Sequence, residues 1–211
     1  MSRKTLKEAI MDAWDALIPL AGLNMILFLL TALIITAIPA FGGLYYATNR
    51  IAHGESAGIG TFFEGFKEQF WVSWKWGILS ILVYGLSLMN VWFYGQFDGL
   101  VFLLLQSVFL STIFIFTCIQ IYLYPFLLEQ EKPSLKLAIK NSFAAFLRYM
   151  GRTLLLLLFS IALAIISVLL PPLWILLTMS VIIYFSNWQA LVIIYEITQS
   201  ESDQKKNLSN S

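Results

Sequence analysis

Charge is what this sequence has least of. Only 12% of its 211 residues are charged and 59% are hydrophobic, whereas soluble domains carry about 25% charged residues. This shortage excludes an ordinary soluble domain and makes a disordered or fibrous chain implausible. The formal net charge of +1 gives no bulk attraction to nucleic acid, so we expect no nucleic-acid partner.

Cysteine and histidine are almost absent as well. The single cysteine, Cys118, excludes an intrachain disulfide, and no second cysteine or nearby histidine accompanies it to form a metal site. We interpret Cys118 as a small buried hydrophobe and the single histidine, His53, as a solvated residue at a helix end. The sequence contains no Walker loop, no His-Glu-x-x-His and no Gly-x-Ser-x-Gly motif. It therefore predicts no enzyme, no metal and no cofactor.

Long stretches without any charge dominate the chain instead. They cover residues 16–49, 76–97, 99–128 and 153–195. A bilayer core about 30 Å thick is crossed by a helix of about 20 apolar residues. Each stretch supplies one crossing, and the last supplies two, on either side of Pro171 and Pro172. The sequence predicts an all-α, polytopic membrane helical bundle with about five transmembrane helices.

Three shorter segments place apolar and charged residues on opposite helical faces. They lie at residues 6–17, 63–74 and 135–150. The second and third contain Phe63 and Phe66, then Phe143 and Phe146. Such segments predict amphipathic helices in the plane of the membrane interface.

The phenylalanine pairs recur after 80 residues, which predicts an internal parallel repeat. We assign residues 1-198 to a single transmembrane helical domain, with repeat-like halves at about 17-95 and 100-172 and a last helix at 173-196. Residues 199-211 are predicted to be a disordered polar tail. Parallel repeats are common in transport folds, but the duplication of any helical hairpin gives the same pattern.

Polar and helix-breaking residues in or beside the crossings are the candidate functional positions. They are Asn24, Thr36, Pro39, Tyr46, Arg50, Asn90 and Asn187. Pro39 lacks a backbone donor and disfavours helix at the residue before it, which predicts a kink or break there. Asn24 and Asn187 either bond between helices or line a path for a polar solute. No charge lies deep in a crossing, which argues against a proton relay or a pump for charged solutes.

The distribution of Lys and Arg predicts the orientation. Ten lie in the two long connections and the tail, and three precede the first crossing, so we expect the connections and the C-terminus in the cytoplasm and the N-terminus outside. A first segment that turns back at Pro39 would instead put the N-terminus inside. Five basic residues are either lipid-headgroup contacts worth about 1 kcal/mol each, or ordinary cytoplasmic charges. They are Lys132, Lys136, Lys140, Arg148 and Arg152.

Motifs between residues 20 and 77 carry a family resemblance. They are Leu23-Asn24, Thr36-x-Ile38-Pro39-Ala40, Leu44-Tyr45-Tyr46 and Phe62-Phe63-x-x-Phe66. With them the chain resembles the bacterial YesL-like family of membrane proteins of unknown function. It differs from that family in having Ile38 where glycine is usual and Gly43 where alanine is common.

The resemblance implies a small multi-pass protein of the bacterial cell membrane that accompanies carbohydrate uptake and degradation systems. We therefore expect an accessory or scaffolding partner of a transport system, with the lipid bilayer and a transporter subunit as its partners. The alternative is a small self-contained transporter or channel for an uncharged polar solute. The oligomeric state does not follow from the sequence.

Overall fold

The computed structural model describes residues 4–209, with side chains through residue 204, and all regular secondary structure in that range is helical. The helices are α1 (Leu6–Asp15), α2 (Leu17–Thr31), α3 (Ile34–His53), α4 (Ile59–Glu68), α5 (Phe70–Tyr94), α6 (Leu100–Leu128), α7 (Leu135–Arg148), α8 (Met150–Leu169), α9 (Pro171–Leu173) and α10 (Met179–Ser209). A π-helical segment, Trp174–Thr178, joins α9 to α10.

Four helices in the described range are long and apolar enough to cross a membrane. They are α5, α6, α8 and the run from Pro171 to Gln204. Helices α1 and α2, which meet at a 70° bend, supply a fifth if the pair is one span. The predicted all-α bundle is therefore confirmed, with four or five helices that are long and apolar enough to cross a membrane. The internal repeat stays a prediction.

Helix α3 lies at the centre of the bundle and packs against α2, α4, α5, α6 and α10. Small residues on its surface allow this close approach, as is usual between membrane helices. A Cβ added to Gly43 would lie 2.7 Å from the backbone oxygen of Phe62 in α4. One added to Gly42 would collide with the side chains of Ser73 in α5 and Tyr124 in α6.

Pro39 lies inside a continuous helix, so the break that the sequence predicted as the alternative to a kink does not occur there. It is buried inside α3, and the chain turns earlier, at Ala32 and Leu33, where Leu33 is extended. Helix α3 begins five residues before Pro39, so the ring disturbs only its first one to two turns, where proline is best tolerated. The turn makes α2 and α3 a helical hairpin.

The segment before this hairpin runs antiparallel to α10. The Tyr184 hydroxyl donates to the Ala9 carbonyl at 3.1 Å, and Asn24 contacts the carbonyl of Trp174 farther along. Later residues of α1 and α2 therefore contact earlier residues of the run that ends in α10.

Lys4 consequently lies beside Gly54, in the first long connection. Its Nζ is 3.2 Å from the position that a Cβ on Gly54 would occupy. Lys4 and the first long connection therefore lie at the same end of the bundle, whereas the sequence predicted opposite sides of the membrane unless the first segment turns back. The reason is the α2–α3 hairpin, which adds one reversal of chain direction that the hydropathy pattern does not reveal.

The last helix is also longer than the sequence predicted. It continues to Ser209, past the expected end at Glu196 and into the segment assigned to a disordered tail. The stretch from 199 to 209 is polar but contains no glycine or proline to end a helix. Residues 1–3 of the predicted domain and 210–211 of the predicted tail lie outside the described residues.

Candidate functional site

Asn24 is wholly buried in α2 and binds the backbone of the last helix. Its Nδ2 donates to the carbonyls of Trp174 and Ile175 at 2.9 and 2.7 Å. Its Oδ1 accepts the backbone N–H of Ser180 at 2.9 Å. Two of these groups lie within the π-helical segment and the third lies two residues after it, where the wider turn interrupts the regular hydrogen-bond ladder. Asn24 therefore supplies partners for backbone groups that the widened helix leaves exposed to an apolar interior.

The same geometry bears on the choice between a structural role and a solute path for Asn24. Both amide hydrogens and the amide oxygen are already bonded to protein. A solute moving past this point would have to displace backbone partners in a buried environment, which is costly. The structure therefore favours the structural role.

Asn187 joins α10 to the central helix α3. It is wholly buried, and its Nδ2 donates to the Tyr45 carbonyl at 3.1 Å and to the Thr48 hydroxyl at 2.9 Å. The Thr48 hydroxyl donates to the Leu44 carbonyl in α3. The Oδ1 of Asn187 has no hydrogen-bond partner among the described residues. Asn187 is therefore a less completely paired junction than Asn24.

Thr36 and Asn90 each bond only to residues a few positions earlier in the chain. The Thr36 hydroxyl donates to the carbonyls of Leu30 and Leu33 at 2.6 and 3.1 Å, which stabilises the turn between α2 and α3. Asn90 donates to the Leu86 carbonyl one turn earlier in α5. Neither residue meets Asn24 or Asn187, so the candidate polar residues do not converge on one pocket.

Tyr46 and Arg50 do come together, at the end of α3. The Arg50 guanidinium donates to the Tyr46 hydroxyl at 3.0 Å and pairs with Glu55 at 2.8 Å. The Tyr46 hydroxyl is 3.3 Å from a carboxylate oxygen of Glu64 in α4. This chain of contacts fixes the first amphipathic helix against the central helix.

A second polar cluster, which the sequence did not predict, lies at the same end of the bundle. Glu129, at the end of α6, accepts from Asn49 at 2.7 Å and contacts the His53 ring at 3.0 Å. The hydrogen bond to Glu129 raises the pKa of His53. Burial alone would raise the pKa of Glu129, but hydrogen bonds from His53 and Asn49 outweigh it, and the pKa is lowered. His53 is thus exposed at a helix end, as predicted, and is also paired with Glu129.

The only sequence signal for this cluster is that Asn49 and His53 are four residues apart, on one face of α3. Their acidic partner is far along the chain and could not be identified from spacing.

Polar pairs also link α5 to α6 along their length. The hydroxyls of Ser73 and Tyr124 are 2.7 Å apart and buried. One and two turns farther, the indole N–H of Trp76 donates to the Gln120 side chain, whose amide donates to Ser80. These pairs act as interhelical bonds in the second half of α6, which is largely buried, whereas its first half is largely exposed.

The five basic candidates divide into two groups. Lys132, Lys136, Lys140 and Arg148 have exposed side chains in or before α7. Arg152 is only partly exposed and pairs with Glu196 of α10, its Nη1 lying 3.0 Å from both carboxylate oxygens. No group of three His, Cys, Asp or Glu among residues 4–209 could hold a metal ion.

Comparison with known proteins gives a family match for one region of the chain. Residues 20–91 match the model of a family described as a protein of unknown function, DUF624. The match covers about a third of the chain and extends from within α2 to the last turn of α5. It therefore includes Asn24, the α2–α3 hairpin and the Tyr46–Arg50 contacts. No curated protein and no solved structure matches the chain.

Proposed function

We propose that this chain is a non-enzymatic membrane protein that assists or scaffolds a transport system at the cytoplasmic face of the bacterial cell membrane. The observation that carries the proposal is the outward face of α7. This face combines exposed Lys136 and Lys140 with exposed Leu137, Phe143 and Leu147. Its opposite face is anchored by the buried side chains of Ala138, Ala145 and Phe146. A rigidly held helix with a mixed basic and apolar face suits a partner better than bulk water.

The charge distribution supports a cytoplasmic position for α7. Every Lys and Arg between residues 4 and 204 lies at the end of the bundle that carries α4, α7 and Lys4. The short turns at the other end, around Gly95 to Gly99 and at Leu170, contain none. An excess of Lys and Arg marks the cytoplasmic side of membrane proteins. The N-terminal segment, α4, α7 and the end of α10 therefore face the cytoplasm in this proposal.

A transport system is the preferred partner because of the YesL-like resemblance. The DUF624 match supports a family of unknown function over residues 20–91, and the more specific name is part of the proposal. The rival function, a self-contained transporter, has less support because the polar groups of Asn24 are occupied by backbone partners.

Co-purification in mild detergent tests the scaffold. A carbohydrate transporter subunit should be recovered at a fixed stoichiometry with the native chain. The double variant Lys136→Glu and Lys140→Glu should lose it, because the reversed charges alter the exposed face of α7. The matched control is Lys7→Glu, a charge reversal at an exposed position of α1, which should retain the subunit.

A transporter subunit that never appears, or that stays with the double variant, would reject this function. Solute flux into liposomes that contain the chain tests the alternative function, a self-contained transporter. Flux above that of empty liposomes, lost in Asn24→Leu, would favour a transporter instead.

A further inference from the structure

An apolar groove of about 830 Å³ opens between α1, α8 and α10. Its walls include Leu155 and Phe159 from α8, Phe185 and Val192 from α10, and Ile10 from α1. Ligand pockets commonly have volumes of about 300–1,000 Å³ and mostly apolar walls. The groove is bordered by helices α8 and α10, which are long and apolar enough to cross the membrane.

Two cationic side chains lie in the lining of this groove, Lys4 and Arg152. Lys4 is held by Asp12 at 2.8 Å, and Arg152 is held by Glu196 at 3.0 Å. The Arg152 hydrogen bonds within the described residues all use Nη1, so Nε and Nη2 remain as donors. The Lys4 ammonium has three donors and bonds one carboxylate oxygen. Both cations are therefore held in place and can still bind a phosphate.

A third polar side chain lies in the lining and, unlike the two cations, has no hydrogen-bond partner among the described residues. The Gln189 side chain is only 7% exposed, lines the groove and makes no hydrogen bond within the described residues. A buried amide that bonds to nothing is costly in an apolar environment. Among the apolar walls, Gln189 therefore marks a position where a bound molecule would supply the missing hydrogen bond.

We propose that this groove binds one anionic phospholipid from the surrounding bilayer. The acyl chains lie along Leu155, Phe159 and Phe185, and the phosphate lies between Lys4 and Arg152. The Gln189 amide donates to an ester carbonyl of the same lipid. A lipid is the occupant because it is the one amphiphile present at high concentration beside these helices. The two cations select an anionic headgroup, since each basic group near the surface contributes about 1 kcal/mol.

Native mass spectrometry of the full chain in mild detergent tests the site. Phosphatidylglycerol is compared with phosphatidylcholine of identical acyl chains. One phosphatidylglycerol should bind each chain, at least fivefold more tightly than phosphatidylcholine. Lys4→Gln should weaken phosphatidylglycerol binding about fivefold. Lys7→Gln, at an exposed position outside the groove lining, should not change it.

A second pair of variants examines the apolar part without removing a core side chain. Leu155 is 68% exposed at the groove and Leu158 is 62% exposed outside its lining. Leu155→Trp should occupy the groove and reduce lipid binding at least tenfold, whereas Leu158→Trp should leave binding unchanged. Equal binding of both lipids, or equal binding by both tryptophan variants, would show a non-specific lipid shell and overturn the proposal.

Discussion

Asn24 and Ser180 are 156 positions apart in the chain, yet the backbone N–H of Ser180 donates to Oδ1 of Asn24 at 2.9 Å. With the two carbonyls that Asn24 also binds, this contact connects the second helix to the widened start of the last one. Leucine in place of Asn24 would leave three buried backbone groups without that partner. Such a loss costs about 1–3 kcal/mol for a buried unpaired group, although single bonds between membrane helices average about 0.6 kcal/mol.

We therefore expect Asn24→Leu to lower the free energy of unfolding by about 2 kcal/mol. The measurement is an SDS titration of the detergent-solubilised chain, followed by circular dichroism. Asn90→Leu is the matched control, because Asn90 bonds only to its own helix, and it should cost less than about 0.5 kcal/mol. Equal losses would show that Asn24 does not stabilise the π-helical segment.

Asn187→Leu should cost less than Asn24→Leu, about 1 kcal/mol. The substitution removes two hydrogen bonds, to Tyr45 and Thr48. It also removes an amide oxygen that is buried without a partner in the described residues, and this gain offsets part of the loss. The same titration gives the order of the two variants. A greater loss for Asn187 would contradict the argument.

Gly43→Ala should destabilise the packing of α4 on α3 by about 1–3 kcal/mol. The added methyl group would lie 2.7 Å from the backbone oxygen of Phe62, which cannot move without displacing α4. Gly85→Ala in α5 is the control, because nothing lies within 4 Å of its added Cβ. That variant should be neutral or stabilising by up to about 1 kcal/mol. Thermal unfolding measures both, and similar Tm changes would refute the close contact.

The His53–Glu129 pair should make stability depend on pH. The pKa of His53 is raised above 6.5, so its contribution is fully present below pH 6.5 and is lost as the pH rises through the raised value. The pKa of Glu129 is lowered below 4.5, so its contribution is present above pH 4.5 and is lost as the pH falls through the lowered value. The pair therefore stabilises the fold most between about pH 4.5 and 6.5.

His53→Gln retains hydrogen-bonding capacity but does not titrate. Its Tm deficit relative to the native chain should be largest in that pH window and should shrink at alkaline pH. The corresponding loss in the free energy of unfolding is at most about 1 kcal/mol, because the pair is partly exposed. Asn49→Asp, which places a second carboxylate beside Glu129, should weaken the cluster as the pH rises. A deficit of His53→Gln that is constant from pH 5 to 9 would rule out the ion pair.

Cysteine labelling in a Cys118→Ser background tests which segments lie on the same side of the membrane. Single cysteines replace Lys7, Ser56, Gln96 or Ser134, and intact cells are treated with a membrane-impermeant maleimide. Only the cysteine at 96 should be labelled, and the other three should be labelled after permeabilisation. Labelling at position 7 together with 96 in intact cells would contradict the α2–α3 hairpin.

Helix α6 shows what the sequence predicts well. Its bounds, Leu100–Leu128, agree with the charge-free stretch 99–128 because Gly99 and Glu129 flank an uninterrupted apolar run. The α2–α3 hairpin shows the opposite case. The chain remains apolar across Ala32 and Leu33, so no composition change marks the turn, and Pro39 draws attention to the wrong position. The turn depends on local bonds from Thr36 and on packing of α3 among six other helices.

The candidate residues also include features that the sequence reveals and contacts that it does not. Asn24 stands out in the sequence as a polar residue in an apolar run, but its partners are backbone groups that no side-chain pattern identifies. His53 and Glu129 are 76 positions apart, and their pairing depends on how α3 and α6 end side by side. The sequence thus indicates which residues are unusual, and the fold decides what each one binds.

The contact between Asn24 and the last helix also imposes an order on biosynthesis. Ribosomes add about 5–20 residues per second, so the 150 positions between Asn24 and Trp174 correspond to a delay of about 8–30 s. During that interval the Asn24 amide is in the membrane or the translocon without its final partner. Chains that stop before Trp174 therefore keep an unsatisfied amide in the region that contains the DUF624 match, and cellular quality control has a polar group by which to recognise them.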